Sequence, residues 1–261
     1  MNIRFFQVDA FTGKPFKGNP AGVCILDAPL PDSTLQSIAA ENNLPETAFL
    51  SKESDGYRLR WFTPTVEMKL CGHATLASAH VLWENNLETP DKVLQFHTLS
   101  GLLTAAKRGQ RIELDFPASG QEPVVLPVAL RQLFKDNYVN ATYSTDRYIV
   151  ELPSAEAVTG FIPDFHLLEQ YRCVITAKGA PDSPYDFISR YFAVPLGVNE
   201  DPVTGSAHCC LATYWAPLLG KQEFFAYQAS PRGGEMKVIL QGSRVLMQGE
   251  AVTVISGTYH I

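Results

Sequence analysis

The sequence has no run of Lys or Arg, and its 261 residues carry 21 basic against 27 acidic side chains, a formal charge of −6. Nucleic acid and membrane surfaces are therefore not expected partners, since both recruit clustered positive charge. Cysteine is scarce and odd in number: Cys24, Cys71, Cys173, Cys209 and Cys210. No Cys-x-x-Cys pair occurs, and all but Cys71 sit in apolar contexts. Reduced thiols and a cytoplasmic location are the expectation. No apolar run approaches the roughly 20 residues of a membrane span. Residues 1–9 alternate like a strand and lack the basic and apolar regions of a secretion signal. There is no Gly-x-Gly-x-x-Gly and no Walker pattern, so no nucleotide cofactor is expected. There is no Gly-x-Ser-x-Gly elbow either, and no acid clearly placed to orient His73 as the base for a Ser206 nucleophile.

What the chain does have is an internal repeat. Asp201-Pro202-Val203-Thr204-Gly205-Ser206-Ala207-His208 leads into the apolar run 209–219 and a stop at Gly220. Thr204 or Gly205 reads as the cap of a buried helix, and its first turn of small residues leaves backbone N–H groups uncovered. Gly72-His73-Ala74 opens a second such helix, with Gly72 aligning on Gly205 and His73 on Ser206. Upstream, Arg60-Trp61-Phe62-Thr63-Pro64 matches Arg190-Tyr191-Phe192-Ala193-Val194-Pro195. Two copies indicate a pair of similar halves, since a solenoid needs three or more.

Along the chain, strands are expected near 3–8, 23–26, 57–62, 92–98, 101–107 and 111–116, and a helix from Pro31 to about Asn42. Pro117 to Pro127 reads as a linker. The halves are then 1–117 and 118–261, with the last strand able to cross back to the first half. A helix that is apolar on most sides must be surrounded. The expected class is therefore α+β, each half an antiparallel sheet wrapped around its central helix. His80, deep in an Ala/Val/Leu run, reads as a core histidine.

If the halves meet about a pseudo-twofold axis, both helix N-termini face one cleft and make a pocket for a carboxylate or an oxyanion. Glu46, His73, Asp201 and Ser206 would surround it, a set that suits proton abstraction beside a carbonyl or carboxylate. Metal is not expected: three consecutive helix residues such as His208-Cys209-Cys210 point about 100° apart and cannot share one ion.

Residues 6–12 (Phe-Gln-Val-Asp-Ala-Phe-Thr), 18–23 (Gly-Asn-Pro-Ala-Gly-Val), 46–49 (Glu-Thr-Ala-Phe), 60–64, 71–75 (Cys-Gly-His-Ala-Thr), 200–208 and 232–235 (Arg-Gly-Gly-Glu) resemble the PhzF-like phenazine-biosynthesis family, in particular its isomerase-like members. The likeness runs nearly end to end. It implies a fold of the diaminopimelate-epimerase type and cofactor-free proton-shift chemistry on a small carboxylate. It also implies that Glu46 moves the proton, that His73, Asp201 and Ser206 complete the catalytic set, and that Asn19, Cys71, Gly72, Thr204 and Gly205 hold the substrate. A homodimer is left open. Related two-base epimerases carry a Cys at both helix starts; here the second is Thr204, so symmetric two-thiol epimerisation is not available. Two other readings stay open: a dehydratase acting on a hydroxy acid with Cys71 as base, and a binding protein that keeps the fold without catalysis.

Overall fold

The computed structural model describes residues 2–261, which divide into two compact units: one formed by residues up to Phe116 together with Met247–Ile261, the other by Pro117–Leu246.

The first unit contains β1 (Asn2–Ala10), β2 (Asn19–Leu26), α1 (Asp32–Asn42), β3 (Glu46–Lys52), β4 (Tyr57–Phe62), β5 (Glu67–Met68), α2 (Gly72–Glu84), β6 (Leu94–Thr98), β7 (Gly101–Arg108) and β8 (Arg111–Pro117). Pairings are antiparallel for β1–β2, β3–β4, β6–β7 and β7–β8. They are parallel for β2–β3 and β4–β6. The expectation of antiparallel strands is corrected at these two places. A parallel neighbour needs a long crossover, and α1 and α2 are those crossovers. Ten of the thirteen residues of α2 are buried, and the helix packs against β1, β2 and β3. Ala74, Ala77 and Ala79, all 0% exposed, keep its girth small enough for strands to close around it.

The second unit contains β9 (Glu122–Pro123), α3 (Val128–Phe134), β10 (Asn140–Ser144), β11 (Arg147–Glu151), α4 (Ala155–Thr159), α5 (Phe165–Leu168), β12 (Cys173–Lys178), β13 (Phe187–Ala193), β14 (Val198–Asp201), α6 (Gly205–Leu219), β15 (Glu223–Gln228) and β16 (Gly234–Gln241). β17 (Arg244–Gly249) straddles the boundary between the units. The unit repeats the scheme of the first. β11–β12 and β13–β15 are the parallel pairs, and α6 is the crossover of the latter. Gly220, at φ +64°, ends α6 in the left-handed conformation that glycine takes without strain. Trp215 of α6 stacks on Phe187 of β13 with ring centroids 5.9 Å apart.

The repeat extends to a detail that the sequence does not flag. Arg60 of β4 grips Glu67 of β5 through Nε and Nη2 at 2.6 and 2.8 Å. Arg190 of β13 grips Glu200 of β14 through the same two nitrogens at 2.7 and 2.9 Å. Each fork–fork pair pins the loop that precedes a central helix.

The last strand, β18 (Ala251–His260), pairs antiparallel with β1 from Asn2↔His260 to Ala10↔Ala251. The second unit therefore ends at Leu246 and not at the C-terminus, because the free edge of β1 draws the final strand into the first unit. The proposed linker is also partly structured: β9 lies within it and pairs with β10.

Candidate active site

Two clusters form, one at the start of each central helix. At the start of α2, Cys71 is the cap residue in extended conformation and offers no side-chain cap, so the helix begins with free N–H groups at Gly72 and His73. Asn19 is the first residue of β2 and Glu46 the first of β3, and the parallel register places Ala21 opposite Glu46. The pair thus delivers both polar side chains at one end, where α2 begins. His73 Nδ1 lies 3.2 Å from Asn19 Nδ2 and 3.5 Å from Cys71 Sγ, while its Nε2 lies 3.2 Å from Glu46 Oε2. His73 and Cys71 are buried, and Glu46 is half-buried.

Burial works against a charged His73, but Cys71 and Glu46 outweigh it and hold the imidazole pKa well above the ordinary histidine value. Burial, helped by the Glu46 carboxylate, pushes the Cys71 thiol up, so that Cys71 stays protonated. A carboxylate, an imidazole and a neutral thiol in contact can abstract, hold and return a proton.

Glu46, Cys71 and His73 also offer one ligand atom each within 4.8 Å of one another. Cys71 contacts Nδ1 and Glu46 contacts Nε2, which are different nitrogens of one ring. A single ion binds only one of them and cannot take over both contacts, so the arrangement fits proton transfer better than a metal centre. A second such trio, Glu53, Asp55 and His97, includes an exposed Asp55.

At the start of α6, Thr204 is the cap residue, and its N–H donates to Gln228 Oε1 at 2.9 Å. Gln228 Nε2 donates to the Asp201 carbonyl at 2.7 Å, and Thr204 Oγ1 donates to Asp201 Oδ2. Ser206 Oγ accepts from Arg147 Nη1 at 3.0 Å. Arg147 is 5% exposed, lies over the Tyr191 ring and donates through Nε to Asp146 at 2.7 Å, while Arg172 takes the other Asp146 oxygen. His208, fully buried, donates from Nδ1 to the Thr204 carbonyl at 2.8 Å, and burial lowers its pKa to about 4.

Of the residues expected to form the site, Asn19, Glu46, Cys71, Gly72 and His73 are thus gathered in the first unit, and Asp201, Thr204, Gly205 and Ser206 in the second. Arg147 and Gln228 escaped the sequence reading. Arg147 opens β11 as Asn19 opens β2, and it contacts Ser206 as Asn19 contacts His73, a correspondence that appears only in the structure. Gln228 stands at the end of an ordinary strand and gives no signal. His80, expected in the core, is only partly buried, with Nε2 3.4 Å from Glu84 Oε2. Among the described residues no helix is long and apolar enough to cross a membrane.

With this geometry, three comparisons are informative. Residues 8–257 match the model of the PhzC-PhzF family, described as phenazine biosynthesis-like protein. The chain is 49% identical over 260 residues to an uncharacterized isomerase of Halalkalibacterium halodurans, covering 98% of this chain and 97% of that protein. Among solved structures, a PhzF-family phenazine biosynthesis protein of Enterococcus faecalis superposes with a TM-score of 0.94 at 39% identity, over 100% of both chains. A hydroxyproline epimerase of Agrobacterium vitis shares the fold alone, with a TM-score of 0.62 at 12% identity over 98% of this chain and 92% of that one. The chain belongs to the PhzC-PhzF family of phenazine biosynthesis-like proteins, and that membership supports an isomerase.

Proposed function

We propose that the protein is an isomerase that moves a proton between carbons of a small carboxylate-bearing substrate without a cofactor. The reading rests above all on the contact between Glu46 Oε2 and His73 Nε2 at the free N-terminus of α2. Glu46 takes the proton from the carbon next to the carboxylate. The electron pair left behind moves into the carboxylate, and the charge that builds on its oxygens is met by the first-turn amides at Gly72 and His73. In an unsaturated substrate the pair also spreads over the C=C bond next to that carbon; the double bond shifts as Glu46 returns the proton to its far carbon, so substrate and product have equal mass. His73, held charged by its neighbours, keeps the Glu46 carboxylate ionised and oriented between the two transfers. Asp201, Thr204, Gly205 and Ser206, at the start of α6, are assigned by the same reading as further groups that handle the substrate. Arg147, paired with Ser206, gives that set a cationic side chain suited to an acidic substrate.

The dehydratase alternative needs Cys71 as a thiolate base. Burial and the Glu46 charge raise its pKa, which argues against that role. The test is a panel of small hydroxy, amino and unsaturated carboxylates incubated with the enzyme in D₂O and followed by NMR and mass spectrometry. The expected result is deuterium at carbon in a product of unchanged skeleton. Glu46→Gln should slow the exchange by about 10²–10⁴-fold, the usual range for a lost general base. Near-native turnover in Glu46→Gln, with Cys71→Ala inactive and water lost from the product, would move the assignment to the dehydratase.

A further inference from the structure

His208 is buried, titratable and without a part in the chemistry above. Its Nδ1 donates to the carbonyl of Thr204, the cap residue four positions earlier. In the first unit the corresponding residue is Thr75, whose Oγ1 donates at 2.5 Å to the carbonyl of Cys71, again the cap residue. Two unlike side chains thus do one thing at equivalent places. Each of these carbonyls also accepts the helical N–H of the same residue, from Thr75 at 3.2 Å and from His208 at 3.4 Å.

The peptide plane connects this to the site. The carbonyl of a cap residue and the N–H of the next residue lie in one rigid plane and point opposite ways. The next residues are Gly72 and Gly205, the most conformationally free of all residue types. A side-chain donor on the carbonyl fixes the plane, and with it the direction of the glycine N–H. The same bond draws electron density toward the carbonyl oxygen and makes that N–H a stronger donor. His208 suits the role: being neutral, it has one ring N–H, which the carbonyl acceptor places on Nδ1.

We propose that Thr75 and His208 are positioning residues, each fixing the direction of the glycine amide at its own helix start, Gly72 for α2 and Gly205 for α6, as a donor to a carboxylate. This rests on the reading above that these helix starts handle a carboxylate-bearing substrate. The experiment uses the full chain and sodium succinate as the probe. Backbone amide NMR shifts of Gly72 and Gly205 are followed without and with succinate, in wild type, H208L and H208T; H208T installs the side chain that the first unit uses.

The expected outcome is a displaced Gly205 amide and about tenfold weaker succinate binding in H208L, as for the loss of one oriented hydrogen bond. H208T should restore most of both, since a helical Thr readily bonds the carbonyl four residues back. The imidazole ¹⁵N spectrum should show Nδ1 protonated and no titration between pH 5.5 and 8, as a pKa of about 4 requires. A Gly205 shift that is native in H208L, or a ring protonated on Nε2, overturns the proposal whatever succinate does. Wild-type protein in which succinate moves neither glycine overturns the carboxylate reading instead, while the succinate-free Gly205 shift still decides on the clamp. If H208L does not fold, T75V against T75S makes the same comparison at Gly72, and a native Gly72 shift in T75V overturns the proposal.

Discussion

Replacing Glu46 with Gln should change the charge of His73, and this can be measured without a substrate. The two groups lie 3.2 Å apart, with side chains 17% and 7% exposed, so solvent screens them weakly. A carboxylate at such range favours the charged imidazole and raises its pKa. Removing one partner of a buried ion pair costs up to about 3–5 kcal/mol, and less here because the imidazole can shed its proton. Cys71 adds to this elevation of the His73 pKa only once its own thiol ionises, and burial delays that ionisation, so near neutral pH the Glu46 carboxylate carries it. Glu46→Gln keeps the shape and removes the charge; near neutral pH burial is then opposed by no charged neighbour, and the His73 pKa falls. The sign for stability follows. His73 has a folded pKa above its unfolded value of about 6.5. Its pairing therefore stabilises the fold fully below about pH 6.5 and progressively less as pH rises through the folded value. Wild type should exceed Glu46→Gln in stability most at acid pH, and the gap should close on the alkaline side. Long-range ¹H–¹⁵N spectra of the imidazole, recorded from pH 5 to 10 for both proteins, read the pKa directly. Identical titration curves, or a gap in stability that widens with pH, would refute the argument that Glu46 sets the charge of His73.

Arg190→Ala should cost about 3–5 kcal/mol in urea unfolding, because it strands the poorly exposed Glu200 carboxylate and removes the donor to the Phe161 carbonyl. Gly179→Ala places a Cβ 1.8 Å from the Tyr185 carbonyl oxygen, which is backbone and cannot swing aside; a loss of about 1–3 kcal/mol, read as a lower melting temperature, is expected. Turnover should survive exhaustive dialysis against EDTA, and activity that vanished and returned with zinc would reassign Glu46, Cys71 and His73 to a metal.

The parts legible in the sequence are those written locally. The starts of α2 and α6, and the stop at Gly220, are set by neighbouring small residues and a left-handed turn, so a reader of residues 71–75 or 204–220 finds them. Arg60 and Arg190 were visible as a repeated pair, but their partners were not. Glu67 follows Arg60 by seven positions and Glu200 follows Arg190 by ten, so unequal loops hide the correspondence. The parallel pairs were missed because strand direction is decided by crossovers such as α2 and leaves little mark on a strand's own alternation. The contacts of Asn19 with His73 and of Arg147 with Ser206 join positions 54 and 59 residues apart, beyond any local pattern. His208 enters the sequence reading only as a metal-ligand type set aside on helix geometry, and its bond to Thr204 needs the coordinates.

The pairing of β18 with β1 makes the second unit an insertion in the first, and so sets a timetable for synthesis. β1 leaves the ribosome well ahead of β18, its outer partner. At about 5–20 residues per second, the interval is roughly 10–50 s. Throughout it β1 has only β2 beside it, and its other row of N–H and C=O groups is open to whatever strand comes near. The second unit has all its residues in one stretch and can close first. A stalled or truncated chain lacking residues 251–260 would therefore carry a finished second unit and a first unit with a permanently sticky edge, a ready substrate for chaperones and for aggregation.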